Sequence, residues 1–232
     1  MLNPIDPAAG LWDAQSELSF PGRWRLPLRM SVLRLPDGGL LLHSPIAIDD
    51  TLAEALAALG PVRHLVAPNL LHHIHLRKAQ ARYPEARVWA PPGLAARKPR
   101  LRVDAELAAG TPLDWGGALE VLPVAGAPRM TEFLFLHAAS GTLICTDLVF
   151  NLRTWSGATT GLVLLLFGTR GRFAMSRLVR AVVRDRPAFR ASLAPLWGRP
   201  FRRIVMSHGA VYESASAPAD LRAAIAARLG PE

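Results

Sequence analysis

Four groups of polar residues stand directly after apolar stretches that read as β-strands. They are His43-Ser44-Pro45, the segment from Asn69 to His75, Asp147, and His208-Gly209. Folds that alternate strands and helices place functional side chains at strand ends, so these residues are expected to meet at one edge of a sheet. Imidazole and carboxylate groups are suitable ligands for Zn²⁺, Fe²⁺ or Mn²⁺. The spacing therefore indicates a site for one divalent cation.

Taken one at a time, these residues have simpler structural interpretations. A single histidine at a strand end is more often a hydrogen-bonded structural residue than a ligand. Asp147 could cap a turn, and His72 and His75, three residues apart, could share the exposed face of a helix. It is the joint placement of three histidines within four residues, an aspartate and a later histidine that favours the metal interpretation.

The composition is that of a folded protein with an excess of positive charge. Of the 232 residues 50% are hydrophobic, which supports a packed core and excludes a disordered chain. The formal net charge of +9 first suggests a nucleic acid or an anionic membrane as partner. However, all of the 27 basic residues except Lys78 and Lys98 are arginines, and they are dispersed along the chain. Dispersed charge is typical of a solvated surface, so the arginines disfavour nucleic acid as a partner. The partner expected is a small-molecule substrate of unknown identity.

Cysteine content and hydrophobic segments predict a cytoplasmic protein. Cys145 is the only cysteine, which excludes an internal disulfide and fits a reducing compartment. It lies in an apolar run, so we expect a buried, inert thiol. The beginning of the chain lacks the cationic start and apolar stretch of a signal peptide. The longest apolar run, 162–167, is far shorter than the ~20 residues of a transmembrane helix, so no transmembrane segment is expected. The oligomeric state stays open.

Apolar periodicity and turn residues predict alternating strands and helices. A hairpin is expected around the turn 36–39, followed by a helix at 50–59 that Gly60 ends. The main further strands are predicted at 64–67, 86–89, 118–124, 132–137, 142–146 and 203–207, and further helices at 70–83, 176–184, 187–197 and 217–229. The run 162–167 fits a strand or a helix, and the Pro- and Trp-rich residues 1–28 are expected to be irregular. The predicted architecture is one α/β sandwich domain over residues 1–232, with mixed sheets covered by helices.

Several short motifs recur in an order that resembles a known family. They are Arg29-Met30, His43-Ser44-Pro45, Ala67-Pro68-Asn69 with His72-His73, Tyr83-Pro84, Trp89-Ala90-Pro91-Pro92-Gly93, Thr142-Leu143 with Thr146-Asp147, and Ser207-His208-Gly209. In this order they resemble the metallo-β-lactamase fold superfamily and, more narrowly, DUF4336, an uncharacterised bacterial family of that fold. The resemblance covers roughly residues 10 to 212 and implies an αββα sandwich.

Half of the superfamily's metal-binding signature is missing from this chain. The signature is H-x-H-x-D-H after a strand, followed by a distant His, a bridging Asp and a final His. Pro68 and Leu70 stand where the first two histidines belong, and residues 128–131, where the distant His is expected, contain none. These three positions are the ligands private to the first metal ion. The resemblance therefore does not imply dinuclear hydrolysis or β-lactamase activity.

The positions that serve the second metal ion all still carry metal-binding side chains. His72 takes the place of the signature's Asp and His73 that of its last His, while Asp147 and His208 match the bridging Asp and the final His. The resemblance implies one divalent ion, Zn, Fe or Mn, held by these four residues, or no ion if they now serve another purpose. Asp147 would either complete the ligand sphere or act as the catalytic base.

Other polar residues are candidates for supporting roles. His43 stands where the fold usually has an Asp close to the metals, so it either supports a ligand imidazole from the second shell or is a buried structural histidine. Asn69 either orients the His72-His73 loop or caps the following helix. Glu132 is a candidate general base, with a surface carboxylate as the default interpretation. His137 precedes a tight turn and is expected to be structural.

Three functions fit these observations. The first is a mononuclear metal-dependent hydrolase of an ester, lactone or phosphoester. The alternative is a catalytically silent scaffold or binding protein that has lost the first metal position. The third is a nucleic-acid-processing hydrolase, which would need a continuous basic track.

Overall fold

The computed structural model describes residues 1–108 and 115–230, and its first seven strands form one sheet. In order across that sheet they are β1 Leu2–Asp6, β2 Leu11–Ser19, β3 Arg25–Arg34, β4 Leu40–His43, β5 Val62–Val66, β6 Arg87–Ala90 and β7 Ala105–Glu106. Neighbours from β1 to β4 are antiparallel, and neighbours from β4 to β7 are parallel.

The second half of the chain forms a second sheet. The strands in this half are β8 Glu120–Pro123, β9 Phe133–His137, β10 Thr142–Ile144, β11 Phe150–Asn151, β12 Phe173–Ala174, β13 Arg203–Val205 and β14 Tyr212–Glu213. Five of them pair in the order β14-β13-β10-β9-β8, and β11 pairs separately with β12. β10 and β13 run parallel, so their carboxyl ends point to the same edge.

The apolar side chains form three clusters, and these define four layers. The described helices are α1 Asp50–Leu59, α2 Leu76–Arg82, α3 Leu94–Arg97, α4 Ala158–Phe167, α5 Arg177–Val182, α6 Arg186–Leu193 and α7 Ala217–Leu229. One cluster joins the two sheets and contains Leu41 and Phe135. A second buries the other face of the first sheet under α1 to α3, and a third buries the outer face of the second sheet under α4 to α7. The predicted αββα sandwich is therefore the observed fold.

Successive side chains of a strand point to opposite faces of its sheet, and in both sheets the two faces belong to two different clusters. Leu41 of β4 faces the other sheet, whereas Leu40 and Leu42 face the helices. In β10, Ile144 faces the other sheet and Leu143 the helices. This is the alternation that a strand buried on both faces produces. None of the helices in the described residues is long and apolar enough to cross a lipid bilayer.

Most predicted elements are confirmed, but the irregular segment at residues 1–28 is wrong. These residues form β1, β2 and the first part of β3. The prolines that suggested irregular structure lie where a missing N–H is tolerated. Pro4 is on the edge strand β1, and Pro27 lies in the part of β3 that pairs with β2 but not with β4.

The predicted helix at 70–83 is wrong in its first half, since α2 begins at Leu76. The side chain of Asn69 accepts hydrogen bonds from the backbone N–H groups of Leu71 and His72, at 2.8 and 2.7 Å. An asparagine that binds the backbone in this way stabilises a turn at the expense of a helix. The run 162–167, whose structure the sequence left open, lies in α4.

Arg29, which forms a buried ion pair within the first sheet, also hydrogen-bonds to the segment that follows β13 of the second sheet. Arg29 of β3 is 4% exposed, and its Nε lies 2.6 Å from the carboxylate of Asp13 on β2. Its Nη1 donates to the carbonyl of Met206 at 3.0 Å, and its backbone N–H donates to the carbonyl of Ser207 at 2.9 Å. Arg29 therefore holds the segment that directly precedes His208.

We expect Arg29→Ala to lower the free energy of unfolding by about 3–5 kcal/mol, because it leaves Asp13 buried without a counter-charge. The matched control is Arg25→Ala on the same strand, whose ion pair with Glu17 is exposed and should contribute less than ~1 kcal/mol. Denaturant unfolding of both variants measures the difference. Equal losses in the two variants would contradict this role of Arg29.

Candidate metal centre

The loops that follow parallel strands of both sheets meet at one edge of the sandwich. Ser44 follows β4, and His72 lies in the loop after β5. Asp147 follows β10 and His208 follows β13, the parallel pair of the second sheet. Each sheet thus contributes side chains to one buried cluster.

His72, Asp147 and His208 form the centre of this cluster. The two Nε2 atoms lie 3.2 Å apart. His72 Nε2 lies 3.4 Å from Asp147 Oδ2, and His208 Nε2 lies 3.3 Å from Asp147 Oδ1. All three residues are buried, and within the described residues they are the group whose donor atoms could hold a metal ion.

The surroundings of His208 fix which of its ring nitrogens carries the proton. Its Nδ1 lies 2.7 Å from the carbonyl oxygen of Pro27, and a carbonyl can only accept. In the neutral ring the proton is therefore on Nδ1, and the lone pair of Nε2 points at Asp147. Phe150 stacks on the ring, and Gly209 keeps the loop tight, since a Cβ there would lie 2.3 Å from the carbonyl oxygen of Asn151.

Ser44 is the hydrogen-bond partner of Nδ1 in His72, as the carbonyl of Pro27 is in His208. Its Oγ lies 2.8 Å from His72 Nδ1. When Nδ1 donates to this hydroxyl, His72 Nε2 also presents a lone pair to the centre. Ser44 has φ +57°, a left-handed conformation that is rare for residues other than glycine and is often found at functional sites. The serine is part of the His43-Ser44-Pro45 motif, but the sequence did not single it out.

Asn69 connects the loop after β5 to Asp147. Its Nδ2 donates to Thr146 Oγ1 at 2.9 Å and to Asp147 Oδ2 at 2.7 Å, while its Oδ1 accepts from the loop backbone as described above. Asn69 therefore orients His72 and Asp147 together. The alternative that it caps a helix is wrong, because no helix begins there.

Glu132 is not the surface carboxylate that was the default expectation. It is 0% exposed, and its Oε1 accepts from the backbone N–H and hydroxyl of Thr146, at 2.6 and 2.8 Å, and from the N–H of Asp147, at 3.0 Å. Burial and the nearby charge of Asp147 raise the pKa of Glu132 to about 8. A side chain so enclosed supports the loop of Asp147 and does not reach a substrate.

Asp147 is the ionised member of this pair of carboxyl groups. Burial alone would raise its pKa, but the positive charge of His72 and hydrogen bonds donated by His208 and His72 outweigh that effect and hold the pKa well below its usual range when protons lie between the three groups. A bound cation would take the place of these protons and meet the Nε2 lone pairs described above. The centre therefore contains a carboxylate, with two imidazoles facing its two oxygens.

His73 lies outside the predicted ligand group, and His43 fits the alternative of a buried structural histidine. His73 is half-buried and lies outside the group formed by the other three residues, because the backbone turns between it and His72. His43 is fully buried, but its Nε2 has no hydrogen-bond partner among the described residues, and its ring packs edge-on against Phe135. The residue that contacts the imidazole of His72 is its neighbour Ser44.

The remaining candidates have structural roles. His137 Nδ1 pairs with Ser140 Oγ at 2.8 Å, which stabilises the turn after β9. Cys145 is buried, as expected, and burial raises the pKa of its thiol.

A small apolar pocket opens onto the centre. Its volume is about 250 Å³, and its walls come from the hairpin between β2 and β3 and from the loop after β5. The main lining residues besides the centre are Leu18, Phe20, Leu26, Leu28, Leu71 and Ile74. A ligand that reaches the centre through this pocket meets a mainly apolar wall.

We expect His43→Leu to make the protein more resistant to acid. Burial, and to a smaller extent the charge of His72, lower the pKa of His43 to about 3. The folded state therefore binds fewer protons than the unfolded chain between pH ~6.5 and ~3, and stability is lost as the pH falls through this range. Denaturant unfolding at several pH values should show a smaller loss for His43→Leu than for the parent protein. The half-exposed His75→Leu is the control. An unchanged pH profile for His43→Leu would contradict the prediction.

The sequence matches one family model over part of its length. The model described as "Domain of unknown function (DUF4336)" matches residues 11–96. This confirms the predicted resemblance for the part that contains His43, Asn69 and His72. No curated protein matches the chain significantly.

Solved metallo-β-lactamases are similar to the chain over nearly its whole length. The enzyme from Pontibacter korlensis is 15% identical, with 95% of each chain covered and a TM-score of 0.64. That from Erythrobacter litoralis is 14% identical, with 96% of this chain and 94% of the other covered and a TM-score of 0.67. FIM-1 from Pseudomonas aeruginosa, solved in its mono-zinc form, is 14% identical, with 95% and 94% covered and a TM-score of 0.60. At such low identity these likenesses show the fold alone.

Proposed function

We propose that this chain, a divergent protein of the metallo-β-lactamase fold, is a mononuclear metal-dependent hydrolase of a small ester, lactone or phosphoester. His72, Asp147 and His208 would hold the ion. The observation that carries the proposal is the convergence of two imidazole lone pairs and a carboxylate in a buried cluster. Such groups repel one another unless protons or a cation lie between them.

The separations in the cluster fit a divalent ion. Four ligands at zinc bond lengths of about 2.0–2.1 Å in a tetrahedron lie roughly 3.3 Å from one another. The contacts between His72, Asp147 and His208 measure 3.2, 3.3 and 3.4 Å. Three protein ligands with one open position is the usual composition of a catalytic site, whereas structural zinc sites are closed by four. One of the fold neighbours, FIM-1, was solved in a mono-zinc form.

The chain's own residues would prepare the site in three ways. Pro27 and Ser44 hold the imidazoles with Nε2 directed inward. Asn69 fixes one oxygen of Asp147 and leaves the other to His208, so we assign Asp147 as a ligand and not as a free base. When bound, a divalent ion would polarise a carbonyl or phosphoryl oxygen of the substrate. The apolar pocket favours a substrate with an aliphatic or aromatic part.

Metal content tests the proposal directly. Protein purified without chelator and incubated with Zn²⁺, Fe²⁺ or Mn²⁺ should retain about one ion per chain by mass spectrometry. We expect His72→Ala to lose this ion and His73→Ala, the adjacent control, to keep it, because only His72 belongs to the cluster. A parent protein that retains none of the three ions would refute the proposal.

Ser44 should affect metal affinity without being a ligand. We expect Ser44→Ala to weaken metal binding about 10- to 100-fold, the usual effect of removing a partner that orients a ligand imidazole. His43→Leu, one residue away, should leave the affinity unchanged, because His43 makes no hydrogen bond to His72. Competition with a chromogenic chelator measures both variants, and equal effects would contradict the assigned role of Ser44.

A second candidate is a binding protein without catalytic activity. It is favoured by Pro68 and Leu70, which are buried at the positions of two lost ligands. The two functions differ in one measurement: a hydrolase loses turnover of ester, lactone and phosphodiester substrates on Asp147→Asn, whereas a binding protein has no turnover to lose.

A further inference from the structure

A group of leucines is exposed on the helices that cover the second sheet. Leu162, Leu165 and Leu166 of α4 are 55%, 50% and 58% exposed, and Leu178 of α5 is 53% exposed. Leu162, Leu165 and Leu166 are spaced to share one side of α4, and Leu178 lies on α5, which packs against α4. Exposed large apolar residues that lie together usually mark an interaction site. We call this region the α4 face.

Several arginines lie in the segments next to α4, and those on α5 and before it have no acidic partner among the described residues. Residues 152–184 contain six arginines and no aspartate or glutamate. Arg177 donates to the carbonyl of Leu166 at the end of α4. Burial, together with the charges of Arg177, Arg172 and Arg180, lowers the pKa of Arg228, so each of these three arginines lies in the neighbourhood of Arg228. In the part of the chain that the structure describes, Arg172, Arg177 and Arg180 form no salt bridge.

Aromatic contacts connect the α4 face with the pocket at the metal centre. In the hairpin between β2 and β3, Trp24 stacks on Phe20 at 3.9 Å and meets Phe167 of α4 edge-on at 6.0 Å. Phe20 also lines the pocket, together with Leu71 and Ile74. Leu71 and Ile74 are themselves more than half exposed. The apolar mouth of the pocket and the α4 face therefore adjoin the same hairpin.

We propose that the α4 face docks on the surface of an anionic lipid bilayer. The leucines would insert between the acyl chains, and the neighbouring arginines would bind the lipid phosphates, which is the combination that peripheral membrane proteins use. A second copy of the chain fits less well, because symmetric pairing would bring the unpaired arginines against one another. Nucleic acid would leave the leucines without a partner.

Docking in this way would bring the mouth of the pocket close to the bilayer. If the proposed hydrolase function holds, its substrate is then an amphiphile with an acyl chain that reaches the metal centre from the membrane. This last step rests on the proposed function, whereas bilayer binding by the α4 face does not.

Vesicle co-sedimentation tests the docking. The parent protein should bind mixed phosphatidylcholine–phosphatidylglycerol vesicles and bind phosphatidylcholine vesicles weakly. We expect both Leu162→Gln/Leu166→Gln and Arg172→Gln/Arg180→Gln to reduce binding about tenfold or more. The control is Arg34→Gln/Arg63→Gln, which removes the same charge at the end of β3 and at the start of β5, away from the α4 face, and should bind like the parent.

Two further measurements distinguish loss of the docking surface from loss of the metal site and from loss of the fold. His72→Ala should bind vesicles like the parent, so that failure of the metal site and failure of the docking surface are separable. Circular dichroism confirms that the exposed substitutions leave the fold intact. Absence of binding to anionic vesicles, or binding that neither double variant changes, overturns the proposal. So does light scattering that shows a dimer which the leucine substitutions dissociate, since the α4 face would then join two copies.

Discussion

The contact between Arg29 and the segment Met206–Ser207 is the constraint on which the candidate site depends. His72 comes from a loop of the first sheet and His208 from a loop of the second, so their imidazoles meet only if the two sheets keep a fixed position. Arg29 fixes it with a side-chain and a backbone hydrogen bond, and Asp13 neutralises the buried guanidinium. Pro27, two residues along the same strand, then accepts from His208. One short part of β3 therefore sets both the packing of the sandwich and the orientation of a ligand.

The centre itself is a costly arrangement that a purely structural core would not need. It places the carboxylate of Asp147 between two buried imidazoles and beside a second buried carboxyl group, Glu132. Buried charges stabilise a fold only when their partners satisfy them, and apolar residues of similar size often do as well. Here Asn69 and Thr146 each donate to one oxygen of these two carboxyl groups, whereas Oε2 of Glu132 has no hydrogen-bond partner among the described residues. Side chains that serve only the stability of a protein are rarely arranged in this way, and this is why the cluster supports a bound cation.

The sequence predicted the layers and the three central residues, but not the details that depend on contacts distant in sequence. Periodic apolar runs predicted the layers. The three central residues could be predicted because His72, Asp147 and His208 follow strands, and strand ends in such folds meet at one edge of the sheet. His73 was assigned from its place at the last His of the superfamily signature, whereas in the structure the turn that Asn69 stabilises leaves it outside the group of His72, Asp147 and His208. Glu132 was misjudged because its burial depends on Thr146 from another strand end. Residues 1–28 were misjudged because prolines are tolerated on a strand without a second neighbour.

The loop after β5 shows how the missing half of the superfamily's metal signature and the apolar pocket are related. In this loop Asn69 and His72 point to the centre, Pro68 and Leu70 are buried where the superfamily has two further ligands, and Leu71 is exposed at the pocket mouth. If the proposed ion is bound, the loop would supply one ligand and an apolar wall in place of three or four ligands. A centre with one ion would carry less positive charge and attract an anionic substrate less, while the wall would strengthen binding of an apolar group. A site of this kind would select its substrate mainly by the apolar part of the substrate molecule. The cation would then contribute only by polarising one oxygen of the substrate.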